Sequence, residues 1–234
     1  MSMVRGTCWN CQSKIGDRET ICKTCSKIQP FAEGINYFEC MGLERRLQLD
    51  LRKLERLFYE LSRQFHPDFH HGKDETEKNI SLENSALLNK AYRTLQDPFS
   101  RVEYLVFLEE GNKDSITAKI PQEFLEEIFE LQETLEEFRS TENLKVREKL
   151  EGKLQEAQRM LESRLLDMEK RLFDLFGRWD GMIDSKDWLT GSRDRKLSIH
   201  QMKEILSYRT YYTNMIQDIQ HLLQGNKERR QIRH

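Results

Sequence analysis

Four of the five cysteines fall in the first 25 residues as two closely spaced pairs, CWNC at 8–11 and CKTC at 22–25. Each pair can grip one side of a tetrahedral ion. Four thiolates, Cys8, Cys11, Cys22 and Cys25, suit zinc, and a site closed on all four sides is structural rather than catalytic. Iron is compatible with the same four sulfurs. A redox-active dithiol is the competing reading, but such motifs belong with a βαβ pattern, which does not occur here. The segment is too short and polar to bury a core, so metal binding would supply most of its folding free energy. Residues 1–30 carry five basic and two acidic side chains. A zinc-finger adaptor binding nucleic acid or another protein is therefore a rival reading for this segment. Cys40 stands apart and reads as a small buried apolar residue.

A second chemical cluster lies in LSRQFHPDFHHG, residues 61–72. His66, His70 and His71 with Asp68 offer metal ligands, as in a histidine-loop metalloenzyme, and His66 with Asp68 offers an acid–base pair. No serine or cysteine nucleophile and no glycine-rich cradle lies nearby. The third reading is a turn that another protein recognises. A third cluster is the acidic stretch 109–137, with ten acidic and two basic residues. At 100° per residue, Phe124, Ile128, Leu131, Leu135 and Phe138 share one helical stripe. Phe129 falls on the far side, beside Glu126, Glu130, Glu133 and Glu137. An aromatic among carboxylates on an outward face suits a basic protein partner, the ring giving shape and the charges orientation. The alternative is that Phe129 packs against a neighbouring element.

The elements that must position these groups are helical. Of 234 residues, 33% are charged and 37% hydrophobic, with only 4 Pro and 11 Gly, which favours an all-α fold. Residues 1–32 form the tetracysteine module, 33–112 a compact helical unit and 113–234 a three-helix bundle. In the middle unit Leu51, Leu54, Leu57, Phe58, Leu61 and Phe65 are spaced as a helix that Asp50 caps and Pro67 stops. A second helix carries Leu82, Ala86, Leu88, Ala91, Tyr92 and Leu95, with a polar loop at about 67–79 between the two. Asp97-Pro98 then opens a helix through Val102, Leu105 and Val106 that ends at Gly111. In the bundle, Pro121 opens the first helix. The second runs from Leu150 through Leu154, Ala157, Leu161, Leu165, Met168, Leu172 and Leu175 to a stop at Gly177, and residues 178–196 are irregular. Ser198 and Gln201 make a capping box for a helix carrying Met202, Ile205, Tyr212, Ile216, Ile219 and Leu223. The formal charge of -2 argues against a nucleic-acid-tracking surface. No apolar run reaches membrane-span length, and the short stretch before Cys8 leaves no room for a leader, so the chain reads as cytoplasmic, without nucleic-acid or membrane partners.

The segments NYFECMGLERRLQLDLRKLERLFYELSRQFHPDF, LLNKAYRTLQDPFSRVEYLVFLEEG and FLEEIFELQETLEEF together resemble the HscB-type J-domain co-chaperones of iron-sulfur cluster assembly. The resemblance covers residues 36–140 closely and the last helix more loosely. It implies that 33–112 is a J domain, stimulating ATP hydrolysis by a DnaK/HscA-type chaperone, and that the bundle holds an IscU-type cluster scaffold protein. Some eukaryotic members also carry a tetracysteine module beginning CWNC. By this resemblance the chain is a co-chaperone and not itself an enzyme. His66, Pro67 and Asp68 are the chaperone-activating loop, with Arg63, Arg52, Lys53 and Arg56 on the helix before it and Glu60 interrupting that basic face. Leu125, Phe129, Glu130, Glu133 and Glu137 are implied to bind the scaffold, with Tyr211 from the last helix, or Tyr208. Glu126 replaces a methionine common in the family, shifting that surface towards charge.

Overall fold

The computed structural model describes residues 6–16, 19–70, 72, 74–111, 122–185 and 192–232. These form two compact units, Met1–Leu105 and Val106–His234. Among the described residues every regular element is helical, apart from two isolated antiparallel bridges in the cysteine segment. The all-α expectation is borne out, and among the described residues no helix is long and apolar enough to cross a membrane.

The first unit is built on an antiparallel pair, α2 (Leu51–Phe65) and α4 (Glu75–Gln96), with one-turn helices α1 (Tyr37–Cys40) and α3 (Pro67–His70) and the first part of α5 (Pro98–Glu110), whose residues from Val106 belong to the second unit. Asp50 caps α2, its carboxylate accepting from the Arg52 and Lys53 amides at 2.9 and 3.1 Å, a contribution of about 1 kcal/mol. Pro67 ends α2 as expected, but it also opens α3, so the inter-helix loop is shorter than the sequence implied. Asp97 caps α5 through the Ser100 amide at 2.7 Å. Leu54, Phe65, Leu88, Ala91, Leu95, Val102 and Leu105 interlock in the core with Phe38 and Leu47. The expected inward face of α4 needs correction at its first half: Leu82 and Ala86 point to solvent, while Ile80, Ser81 and Asn84 are buried with Glu77. Counting apolar residues misplaced that face because, beside Ile80, its buried groups are the polar Glu77, Ser81 and Asn84, with partners elsewhere in the fold. Arg101 is buried too, its guanidinium donating to the carbonyls of Leu95 at 2.7 Å, of Gln96 at 3.3 Å and of Leu47. A cation at the end of α4 complements the helix dipole and satisfies its last acceptors.

The second unit is a bundle of α6 (Gln122–Ser140), α7 (Leu144–Asp184) and α8 (Ser192–Ile232). Leu135 and Phe138 of α6, Leu150, Leu154 and Leu161 of α7, and Tyr212, Met215, Ile216, Ile219 and Leu223 of α8 form its core, with Ile128, Leu131, Leu165 and Tyr208 half-buried around it. Asn143 caps α7 through the Lys145 and Val146 amides. Two expectations are corrected here. Helix α7 does not stop at Gly177 but runs on to Asp184, and α8 begins at Ser192, so most of 178–196 is helical. Phe176, Trp179 and Asp180 are buried and carry the packed seam past the glycine. Their burial outweighs a helix penalty of about 1 kcal/mol for Gly177. Ser198 is buried inside α8 beside Ile199 rather than capping it. Arg195 lies over the Trp179 indole at 5.7 Å and pairs with Glu109, while Lys203 holds Glu110 at 2.8 Å, fixing the last residues of α5. Pro121 and Trp188 lie outside the described residues, as does the side chain of Phe124.

Candidate metal centre and partner-binding surfaces

The two cysteine pairs fold into near-identical knuckles. In the first, the Cys8 amide donates to Ser13 O at 2.8 Å and the Gln12 amide to Cys8 O at 3.0 Å. In the second, Cys22 donates to Lys27 O at 2.9 Å and Ser26 to Cys22 O at 2.8 Å. The residue after each second cysteine takes a positive φ, 59° at Gln12 and 57° at Ser26. The bridges match as well, Thr7 with Lys14 and Ile21 with Ile28. A positive φ on a residue with a Cβ is uncommon, and its recurrence at the same place shows that the two pairs share one turn geometry. Trp9 ties the knuckles together, its indole N–H donating to Ile28 O at 2.7 Å.

These turns bring Cys8, Cys11, Cys22 and Cys25 together with all four sulfurs within 4.8 Å of one another, the one such group of metal-ligating side chains among the described residues. Sulfurs at the corners of a tetrahedron around zinc, with Zn–S near 2.3 Å, stand about 3.8 Å apart. Cys8 and Cys25 Sγ are 3.5 Å apart and Cys11 and Cys22 Sγ 3.7 Å, so the donor set fits such an ion. The Ser13 hydroxyl, 3.3 Å from Cys22 Sγ, lowers that thiol pKa to about 6 and also lowers that of Cys11. Cys22 and Cys11 are thus disposed towards the thiolate that a metal needs, whereas desolvation and the neighbouring Cys11 and Cys8 push Cys25 up to about 11. Cys40 is buried away from this group, and desolvation pushes its pKa up to about 12.

The module is packed on the α2–α4 pair through residues that the sequence did not single out. Lys27 Nζ sits between the carboxylates of Asp74, at 3.0 Å, and Glu77. Asn84 donates to Gln29 O at 2.8 Å and accepts from the Phe31 amide at 3.1 Å. Thr20 donates to Gln64 at 3.0 Å, and the Phe31 ring meets Phe65 edge-on with centroids 5.2 Å apart.

His66 and Asp68 stand at the end of that helix pair with side chains 53% and 85% exposed, their nearest polar atoms 3.5 Å apart. The Asp68 amide points to His66 Nδ1 at 3.3 Å, which orients the ring without burying it. Behind them the Phe65 carbonyl is fixed by the Ser81 and Ser85 hydroxyls, each at 2.7 Å. The turn therefore has a rigid base and an open polar edge. Arg63, on the last turn of α2, is exposed beside it. Of the other loop histidines, His71 and the side chain of His70 lie outside the described residues.

On α6, Phe129 is 62% exposed and Leu125, one turn earlier, 37%, with Glu126, Glu130, Glu133 and Glu137 exposed around them. The stripe of Ile128, Leu131, Leu135 and Phe138 faces the core. Tyr211 is exposed, whereas Tyr208 packs against the core, which distinguishes the two aromatics considered on α8.

An open His-Pro-Asp turn on an antiparallel helix pair, a three-helix bundle and a four-cysteine group that could hold a metal ion are the parts that the resemblance to HscB-type co-chaperones implies. The relatives agree. The chain is 37% identical over 138 residues to the iron-sulfur cluster co-chaperone protein HscB of Mus musculus, covering 57% of this chain and 58% of that protein. It is 31% identical over 150 residues to the HscB homolog of Arabidopsis thaliana, covering 64% and 59%. The crystal structure of the human co-chaperone protein HscB superposes with a TM-score of 0.56 at 27% identity, covering 92% of this chain and 96% of that one. No protein-family model matches. The chain thus spans about three fifths of the length of the curated relatives it matches. The resemblance to HscB-type co-chaperones is borne out.

Proposed function

We propose that this chain is a co-chaperone of iron-sulfur cluster assembly that raises the ATPase of a DnaK/HscA-type chaperone and delivers an IscU-type scaffold protein to it. Three parts divide the work: the metal module at 1–32, the J domain at 33–112 and the scaffold-binding bundle at 113–234. The observation that carries the reading is the exposure of His66 and Asp68 on a base made rigid by Phe65, Ser81 and Ser85. A pair so exposed lacks the enclosure that acid–base catalysis needs, but it is well presented for a partner's polar groups. Arg63 adds a positive charge for an acidic chaperone surface. On the bundle, Phe129 and Leu125 offer an apolar anchor and Glu130, Glu133 and Glu137 orient a basic scaffold surface, with Tyr211 contributing from α8.

The metal role is structural. Zinc is the ion we assign to Cys8, Cys11, Cys22 and Cys25, holding the two knuckles together; iron would be held by the same sulfurs. The test is the ATPase rate of a DnaK-type chaperone with this chain, alone and with an IscU-type scaffold. Stimulation by the chain that rises further with scaffold supports the reading. A rate unchanged by the chain overturns it.

A further inference from the structure

The tetracysteine module touches the helix pair on both sides of the segment that carries His66–Asp68. On the α2 side, Thr20 holds Gln64 and Phe31 packs on Phe65, the two residues just before His66. On the α4 side, Lys27 lies against Asp74 and Glu77, and Gln29 and Phe31 close a pair of hydrogen bonds on Asn84. Asp74 is the N-cap of α4: its carboxylate accepts from the Glu77 amide at 2.9 Å, and its carbonyl accepts from the Lys78 amide at 3.1 Å. Glu77 is only 3% exposed, and Lys27 brings a cation to its carboxylate. Lys27 in turn belongs to the second knuckle, its carbonyl accepting from the Cys22 amide. One turn therefore sets the place of two metal-ligating thiols and of the cation that meets the start of α4.

We propose that the metal module positions the chaperone-activating loop and that Lys27 is its positioning residue. With the ion bound, the knuckle holds Lys27 on Asp74 and Glu77 and fixes the first turn of α4, while Thr20 and Phe31 hold the Gln64–Phe65 end of α2 that leads into His66. With the ion removed, a segment that has no core of its own loses its cross-link, Lys27 leaves, and Asp74 and Glu77 lose the cation it brought to the start of α4. The first turn of α4 then opens. The inference rests on the chaperone-activating reading of His66–Asp68, but its central measurement does not use the chaperone.

That measurement is amide hydrogen exchange by NMR on the full chain, zinc-loaded and chelated, for the wild type and for K27M/E77Q, which removes both charges of the Lys27–Glu77 pair together. In the wild type, chelation should speed exchange at the Lys78 amide by about tenfold or more, while amides at Leu135 and Phe138 are unchanged. In K27M/E77Q the zinc content should be unaltered, Lys78 should already exchange fast, and chelation should add little. Equal sensitivity to chelation in both proteins, insensitivity in the wild type, or slow exchange at Lys78 in zinc-loaded K27M/E77Q would each overturn the proposal. Titration against a DnaK-type ATPase separates this failure from that of the parent reading. A wild type that never stimulates defeats the loop assignment. One that stimulates with the same half-maximal concentration with and without zinc defeats the positioning role alone.

Discussion

Among the described residues the imidazole of His66 meets the Phe69 ring edge-on, the Asp68 amide and the Asp68 carboxylate, and its side chain is 53% exposed, so its replacement disturbs little packing. His66→Gln should keep the helical content and scaffold binding and abolish ATPase stimulation; circular dichroism and a coupled ATPase assay read the two halves of this prediction. A rate equal to that of the wild type would remove the loop from the mechanism. The cysteines present the reverse case, since Cys22 matters only through what it holds. Cys22→Ser with Cys25→Ser should release roughly one metal ion per chain, measured by a chromogenic chelator, and leave the cooperative melting of the bundle unchanged. Loss of the bundle transition in that variant would mean that the module supports more than its own unit.

At the scale of the element, α6 presents a buried face and an exposed apolar-acidic face. Leu135 is buried in the bundle core, so Leu135→Ala should cost about 2 to 5 kcal/mol of stability through the cavity it leaves. Phe129→Ala removes an exposed ring and should leave the melting temperature nearly unchanged, yet weaken scaffold binding by about 2 kcal/mol or more if the ring is a central anchor. Glu130→Lys with Glu133→Lys should mainly slow association, with a strong dependence on salt, because peripheral charges steer encounter more than they hold a complex. Calorimetry, melting and stopped-flow binding on these variants decide the matter. The two faces of α6 were legible because apolar residues alone define one of them, and the four ligand cysteines were legible from their spacing. What escaped the sequence depends on distant partners. Glu77 and Asn84 look like surface residues until Lys27 and Gln29 arrive to satisfy them, and Gly177 looks like a stop until Trp179 is seen to be buried beyond it. Local rules count a glycine's cost but not the packing that outweighs it. The paired positive φ values at Gln12 and Ser26 had a signal of sorts, since both follow a C-x-x-C pair directly, though neither residue type announces a left-handed turn.

At the scale of the whole molecule, the proposed chaperone-activating loop and scaffold face belong to different compact units of one chain. If delivery is the function, that covalent connection is itself functional. A chain bound to the scaffold brings it to the chaperone at a local concentration far above that of the free scaffold, so two modest affinities act together. His66→Gln should bind scaffold normally but give no stimulation. Phe129→Ala should retain stimulation by the chain alone and lose the further rise that scaffold brings. The deciding measurement is an equimolar mixture of the two variants, in which each functional surface is present but never both on one molecule. Its ATPase rate with scaffold should stay at the level of Phe129→Ala alone or below it, since His66→Gln chains sequester scaffold without engaging the chaperone. Full recovery in the mixture would mean that the surfaces work without being linked, and the chain would then be two independent binding modules rather than an adaptor.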